Sequence, residues 1–174
     1  MEKGFCRLAI PTIQSDSIVD GEGIRSVIWF QGCGHACPEC HNPETWDFNA
    51  GELVSIDDIK KQIDELEFQQ GVTFSGGDPM YQIDALIELS KYVKEKGMNV
   101  WVYTGFTYDE LEKMAEKDDR YSKMYDYIDV LVDGPFKIKL KSFECAFRGS
   151  TNQRLIDVKK TRKANKVITL EKYK

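Results

Sequence analysis

No stretch of this sequence approaches the ~20 consecutive apolar residues of a membrane-spanning helix. The opening Met1-Glu2-Lys3-Gly4-Phe5-Cys6 also lacks the apolar core of a signal peptide. Both absences argue against a membrane or secreted protein and for a cytoplasmic one. Net positive charge is missing too. The 24 Lys and Arg against 29 Asp and Glu leave a formal charge of −5, which gives no electrostatic case for binding nucleic acid. The local exception is Lys159-Lys160-Thr161-Arg162-Lys163 with Lys166 beyond it, which reads as part of a solvated basic tail region over 158–174. There is no internal repeat and no low-complexity segment. Cysteines number five, an odd count with three crowded together, which argues against a secreted disulfide framework and for a reducing compartment.

What is present is Gly32-Cys33-Gly34-His35-Ala36-Cys37-Pro38-Glu39-Cys40-His41-Asn42, directly after the apolar run Val27-Ile28-Trp29-Phe30. The run predicts a buried strand, which puts the cysteines on the loop at its C-terminal end, where open α/β sheets and barrels place their chemistry. The spacing is C-x3-C-x2-C, with no fourth cysteine nearby. Three thiolates on one tight loop can hold three corners of a cubane iron–sulfur cluster, which ordinarily takes four cysteines. The fourth iron is then open to a substrate, as the open position of a catalytic zinc is. Zinc itself is the rival reading, with Cys33, Cys37 and Cys40 completed by His41 or His35, or by a distant Cys6 or Cys145. Structural zinc draws its ligands from two separated pairs, however, and no second pair exists here.

Along the chain, the pattern predicts a first strand within 5–13 and a glycine loop at Asp20-Gly21-Glu22-Gly23-Ile24-Arg25. That loop lacks the third glycine and following helix of a dinucleotide site and the alternating carboxylates of a calcium loop. The strand that delivers the cysteines spans 26–31, and Trp46 and Phe48 are placed to pack over them. Ile56, Ile59, Ile63 and Leu66 mark a helix opened by Ser55 and ending near 70. A short strand, Val72-Thr73-Phe74, runs into Ser75-Gly76-Gly77-Asp78-Pro79. A second helix over 84–96 stops at Gly97. A strand over 99–104 precedes the capping box Thr107-Tyr108-Asp109-Glu110 and a helix through about 117. Strands follow at 128–132 and, near the end, at 167–170.

Alternating strands and helices predict βαβ units and a mainly parallel sheet in a single domain, 1–174. The chain is short of the ~250 residues of a closed (β/α)8 barrel, so an open, partial (β/α) barrel is expected. In a parallel sheet the strand ends gather on one side. That sets Gly76, Gly77 and Asp78, Tyr103 to Phe106, and Asp133-Gly134-Pro135 across from the cysteine loop. No acid–base pair stands out.

Cys33-x3-Cys37-x2-Cys40 resembles the signature of the radical S-adenosylmethionine (SAM) superfamily. The run from Asp20 to Arg25, with Gly32-Cys33, Cys40-His41-Asn42-Pro43 and Thr45-Trp46, resembles the glycyl-radical activating enzymes within it. Ser75 to Pro79, Tyr103-Thr104-Gly105, Val132 to Phe136 and Phe147 to Arg154 narrow the resemblance to activators of anaerobic ribonucleoside-triphosphate reductase, over about residues 5–157. The resemblance implies the partial-barrel fold of the superfamily and a [4Fe-4S] cluster on Cys33, Cys37 and Cys40 whose open iron chelates SAM. It implies that Gly76, Gly77 and Asp78 hold the methionine amino group, and that Glu39, Cys40 and His41 approach the adenine. Many relatives carry an aromatic residue at the position of Glu39, so a contact there falls to its backbone. The resemblance further implies reduced flavodoxin or ferredoxin as electron donor and a glycine of the reductase as hydrogen-atom source. The other readings of the same residues are a radical SAM enzyme acting on a different glycyl-radical enzyme or a small molecule, and a zinc-bound interaction module without enzymatic activity.

Overall fold

A computed structural model describes residues 4–173. Its eight strands are β1 (Phe5–Leu8), β2 (Gln14–Ser17), β3 (Arg25–Phe30), β4 (Glu52–Ser55), β5 (Gly71–Gly76), β6 (Asn99–Tyr103), β7 (Val130–Asp133) and β8 (Arg154–Asp157). The helices are α1 (Ile56–Asp64), α2 (Ile83–Glu95), α3 (Tyr108–Lys117), α4 (Arg120–Lys123) and α5 (Val158–Ala164). All strands join one sheet in the order β4-β1-β3-β5-β6-β7-β8, with β2 beside β3. The four central strands β3, β5, β6 and β7 are parallel, and antiparallel strands flank them on both sides. The fold is therefore α/β with a mainly parallel core.

Register decides where the site lies. Phe30 pairs with Gly76, Phe74 with Val102, and Tyr103 with Val132. The C-terminal ends of the four parallel strands are thereby level, and the loops that follow them meet.

Both faces of the parallel strands are covered, which is why β3 carries the continuous apolar run Val27 to Phe30. On the helix side, Ile28, Phe30, Phe74, Val102 and Leu131 pack with Ile59, Leu86, Leu89 and Leu111 in one buried cluster. Cys6 belongs to this cluster and is fully buried. Trp101, Val130, Val132 and Leu155 form a second cluster, with Tyr103, Phe147, Leu170 and Tyr173 packed on it. Arg25 lies against it with its guanidinium over the Trp101 ring at 5.4 Å. It donates to Thr73 Oγ1 at 2.8 Å and Asn99 Oδ1 at 2.6 Å. Burial pulls its pKa down to about 10. The last described residues run back to the glycine loop: Lys172 Nζ lies 3.2 Å from Glu22 Oε1, and the Tyr173 hydroxyl donates to Glu22 Oε2 at 3.0 Å.

Several sequence expectations are modified. The first strand, expected over 5–13, ends at Leu8, and a further strand β2 over Gln14–Ser17 pairs with β3. Helix α1 stops at Asp64 rather than near 70. Gln70 is drawn instead into the sheet's edge, where its N–H donates to Ile24 O and its carbonyl accepts from Asn99 N. The last strand, expected over 167–170, is reduced to a single bridge between Ile156 and Thr169. Strand β8 and helix α5 had no strong sequence signal. The basic run expected in a tail lies on α5, which is capped by the Asp157 side chain and packs inward through Val158 and Thr161. Lys159, Lys160 and Lys163 remain exposed. Among the described residues, no helix is long and apolar enough to cross a membrane.

Candidate functional site

The β3 strand ends at Phe30 and its chain turns through Gly32, whose φ of +108° favours glycine and whose lack of a side chain leaves room for the Phe48 ring. Gly32 N–H donates to Thr45 O and Cys33 N–H to Trp46 O, so the segment over 42–48 braces the cysteine loop as its aromatic residues suggested. Ala36 and Glu39, the residues before Cys37 and Cys40, both have positive φ, 48° and 56°. Such turns are disfavoured for side-chain-bearing residues and cluster at functional loops. Here they bend the chain sharply ahead of each of the last two cysteines, and Cys40 N–H closes a tight turn onto Cys37 O.

Cys33, Cys37 and Cys40 are half-buried and line one cavity of about 430 Å³, within the range of small-ligand sites. Ser75, Gly76 and Gly77 also line it, as do Tyr103 to Gly105 from the end of β6 and Gly134 from the end of β7. Four strand ends thus meet at one hollow, as parallel topology requires. Gly76 and Gly77 are required by close approach. A Cβ at 76 would fall 2.4 Å from Phe30 O, and one at 77 would fall 2.4 Å from Gly32 O.

Asp78 follows this glycine rim but is not on the cavity wall. Its carboxylate is fully buried and engaged within the protein. Oδ2 accepts from His35 Nε2 at 2.6 Å, Thr104 Oγ1 at 2.9 Å and Gly105 N–H at 2.9 Å. Oδ1 accepts from Met80 N–H at 3.0 Å. The sequence offered Asp78 as a contact to a ligand ammonium; the structure turns it away and uses it to join three strand ends. The hydrogen bond to Asp78 raises the His35 pKa, against the opposing effect of burial. The His35 ring also packs edge-on to Phe106 at 4.5 Å between centroids. His41 lines the cavity with its ring 5.0 Å from that of Phe136, whereas Glu39 is exposed and off the wall.

Asp133 is likewise structural. It is buried, paired with Arg154 through Nε at 3.0 Å and Nη2 at 2.6 Å, and accepts from Tyr108 N–H at the start of α3. Arg148 lines the cavity, with its guanidinium turned to Ala146 O and Tyr173 O. Cys145, offered by the sequence as a distant ligand, is half-buried and stands on the cavity wall. The alternation Arg25-Val27-Trp29 against Ile28-Phe30 is the signal that would have placed Trp29 on the cavity side of β3.

Residues 19–156 match the family described as "4Fe-4S single cluster domain". The anaerobic ribonucleoside-triphosphate reductase-activating protein of Haemophilus influenzae is 37% identical over 146 residues, 78% of this chain and 89% of that one. Its namesake from Escherichia coli K12 is 34% identical over 144 residues, 78% and 90%. The chain belongs to the anaerobic ribonucleoside-triphosphate reductase-activating proteins. The family's wider relatives include the pyruvate formate-lyase-activating enzyme of Clostridium pasteurianum, 38% identical over 118 residues. That match takes in 63% of this chain and 49% of the relative, so the chain spans about half that relative's length.

Membership makes the protein an activating enzyme with an iron–sulfur domain, and the site's donors fit such a cluster. Three soft thiols from one loop share a cavity with glycine backbone, aromatic rings and a few polar side chains, and thiols are the donor set suited to iron–sulfur ligation. Burial pushes the Cys33 thiol up to about 11 and raises that of Cys37; a bound metal reverses this by favouring thiolate. Among the described residues, no three His, Cys, Asp or Glu side chains already stand close enough together to form a finished metal cage. Of the four candidate completing zinc ligands, His35 commits Nε2 to Asp78 and Cys6 is buried on the helix side of the sheet, whereas His41 and Cys145 line the cavity.

Proposed function

We propose that this chain activates an anaerobic ribonucleoside-triphosphate reductase as a radical SAM enzyme of the cytoplasm. In this reading Cys33, Cys37 and Cys40 hold a [4Fe-4S] cluster and SAM occupies the cavity beside it. The whole chain acts as one domain, an open partial barrel whose free side admits a loop of the partner. The observation that carries the reading is the convergence of the three thiols and the Gly76-Gly77 rim on one 430 Å³ cavity at the ends of four parallel strands.

When bound, the cluster and SAM supply a one-electron cleavage that generates a carbon radical able to take a hydrogen atom from a glycine of the reductase. The chain's own part is positioning and exclusion of water. The thiols bind iron, and Gly76 and Gly77 present bare backbone to the methionine end of SAM. His41 with Phe136, and the backbone at Cys40, would flank the adenine, with Glu39 set outside that wall. Trp29, Trp46 and Phe147 supply apolar wall, which keeps water from a reactive species. Reduced flavodoxin or ferredoxin is the donor in this scheme. No acid–base residue is required, since hydrogen-atom abstraction moves no separate proton.

The test is anaerobic reconstitution followed by dithionite and SAM. The expected result is about four irons per chain, thiolate-to-iron absorption and release of 5′-deoxyadenosine. With the reductase added, a glycyl doublet appears by electron paramagnetic resonance. Stoichiometric zinc with no iron uptake sinks the proposal.

A further inference from the structure

We propose that His35 and Asp78 form a positioning pair that fixes the span between the cysteine loop and the glycine rim. The inference rests on the reading above only for what the loop holds. The pair itself is visible in the protein, because one carboxylate receives donors from three neighbouring strand ends. His35 comes from the loop after β3, Met80 follows the rim after β5, and Thr104 and Gly105 follow β6.

Oδ2 takes three of the four donors and Oδ1 the other, and the side chain has no exposed surface from which to reach a ligand. His35 is the one side chain of the cysteine loop held in this way. It lies between Cys33 and Cys37, so the bond to Asp78 acts on the segment that carries two of the three thiols. The contact also depends on Gly105, where a Cβ would fall 2.6 Å from the His35 ring. A buried hydrogen bond to a charged acceptor is stronger and more geometrically selective than a neutral one. It suits a residue whose task is to hold a loop at a set distance.

Two readouts test this, one of them independent of any cofactor. The first is hydrogen exchange of the metal-free protein over residues 31–42, and the second is iron retained after anaerobic reconstitution and desalting. His35→Ala is expected to speed exchange of that segment by about tenfold or more, the effect of one lost hydrogen bond to a charged group, and to lower retained iron. His35→Gln, whose amide nitrogen sits where Nε2 does, restores both. His35→Asn, whose amide reaches only to the Nδ1 position, restores neither. If His35→Ala does not fold, the Gln and Asn variants give the same comparison.

Unchanged exchange in His35→Ala, or equal rescue by Asn and Gln, overturns the proposal. So does Asp78→Asn lowering iron or SAM binding with exchange unaltered, which would make Asp78 a direct contact. A wild-type protein that takes up no iron refutes the proposed function instead, and the exchange experiment still decides the pair.

Discussion

Gly77→Ala isolates the distance between the rim and the cysteine loop. Gly77 is not among the residues with positive φ, so alanine is conformationally permitted there and the cost is steric. The new Cβ would lie 2.4 Å from Gly32 O, 2.8 Å from Gly32 C and 2.9 Å from Thr45 O. All three are backbone atoms and cannot rotate away. The closest contact is about 1 Å short of ordinary van der Waals distance, so the two loops must separate by an amount of that order. The same peptides carry the bonds Gly77 N–H to Phe30 O, Asp78 N–H to Gly32 O and Gly32 N–H to Thr45 O. Overpacking costs about 1–3 kcal/mol, and one weakened hydrogen bond adds about 1 kcal/mol. At about 2–4 °C per kcal/mol for a chain of this size, the melting temperature falls by about 4–16 °C. The assay is thermal unfolding of the metal-free protein by circular dichroism, with iron retention measured alongside. Gly97→Ala is the control. Its φ of +83° imposes a conformational penalty of about 1 kcal/mol, but nothing lies within 4 Å of the new Cβ and the site is remote. It should cost a few degrees and leave iron retention unchanged. A Gly77→Ala protein melting within about 1 °C of wild type would refute the reasoning, as would a larger loss in Gly97→Ala.

Arg154→Ala removes both guanidinium bonds from the buried Asp133 carboxylate and leaves only Tyr108 N–H. The expected cost in urea unfolding is about 2–3 kcal/mol, below the figure for a fully buried pair because Arg154 is partly exposed. A loss under about 0.5 kcal/mol would show that β7 and β8 do not depend on the pair. Glu22 is held below its ordinary pKa of 4.5, chiefly by the Lys172 hydrogen bond and then by that of Tyr173. A lowered folded-state pKa means that its stabilisation is present above about pH 4.5 and is lost as pH falls through the folded value. Glu22→Gln should therefore cost about 0.5 kcal/mol at neutral pH, as exposed pairs do, and flatten the stability profile on the acid side. Identical profiles would sink that assignment. Burial pushes the Cys6 thiol up to about 12. Native alkylation at neutral pH should spare Cys6 while reaching the four half-buried cysteines, and mass mapping that finds Cys6 among the early adducts would contradict its place in the core.

The sequence carried the elements whose signal is local. Ser55 and Thr107 cap α1 and α3 as their spacing suggested, accepting from Asp58 and Glu110 N–H. Gly97 follows α2 in a positive-φ turn. The cysteine loop and the glycine rim were legible because each follows an apolar run, and parallel topology then brings strand ends together. The function of Asp78 was not legible. A carboxylate beside two glycines looks the same whether it faces a ligand or the protein, and only tertiary packing supplies His35 and Thr104 as donors. Strand β8 was missed because Arg-Leu-Ile-Asp is too short to show a period, and its place depends on Asp133, 21 residues earlier. Cys145 reached the cavity through a loop whose path no sequence pattern defines.

The tie between Glu22 and Tyr173 spans 151 positions of sequence. Contacts of that separation form last, since the loop they close must first be ordered by everything between. The βαβ units built on α2 and α3 close over much shorter separations and can form early. A tie made late in folding stabilises the native state more than the folding transition state. Loss of Tyr173 would speed unfolding more than it slows refolding. In kinetic terms the tie acts as a brake on opening, and Tyr173 extends it to the cavity wall by packing on Phe147 at 5.1 Å between ring centroids.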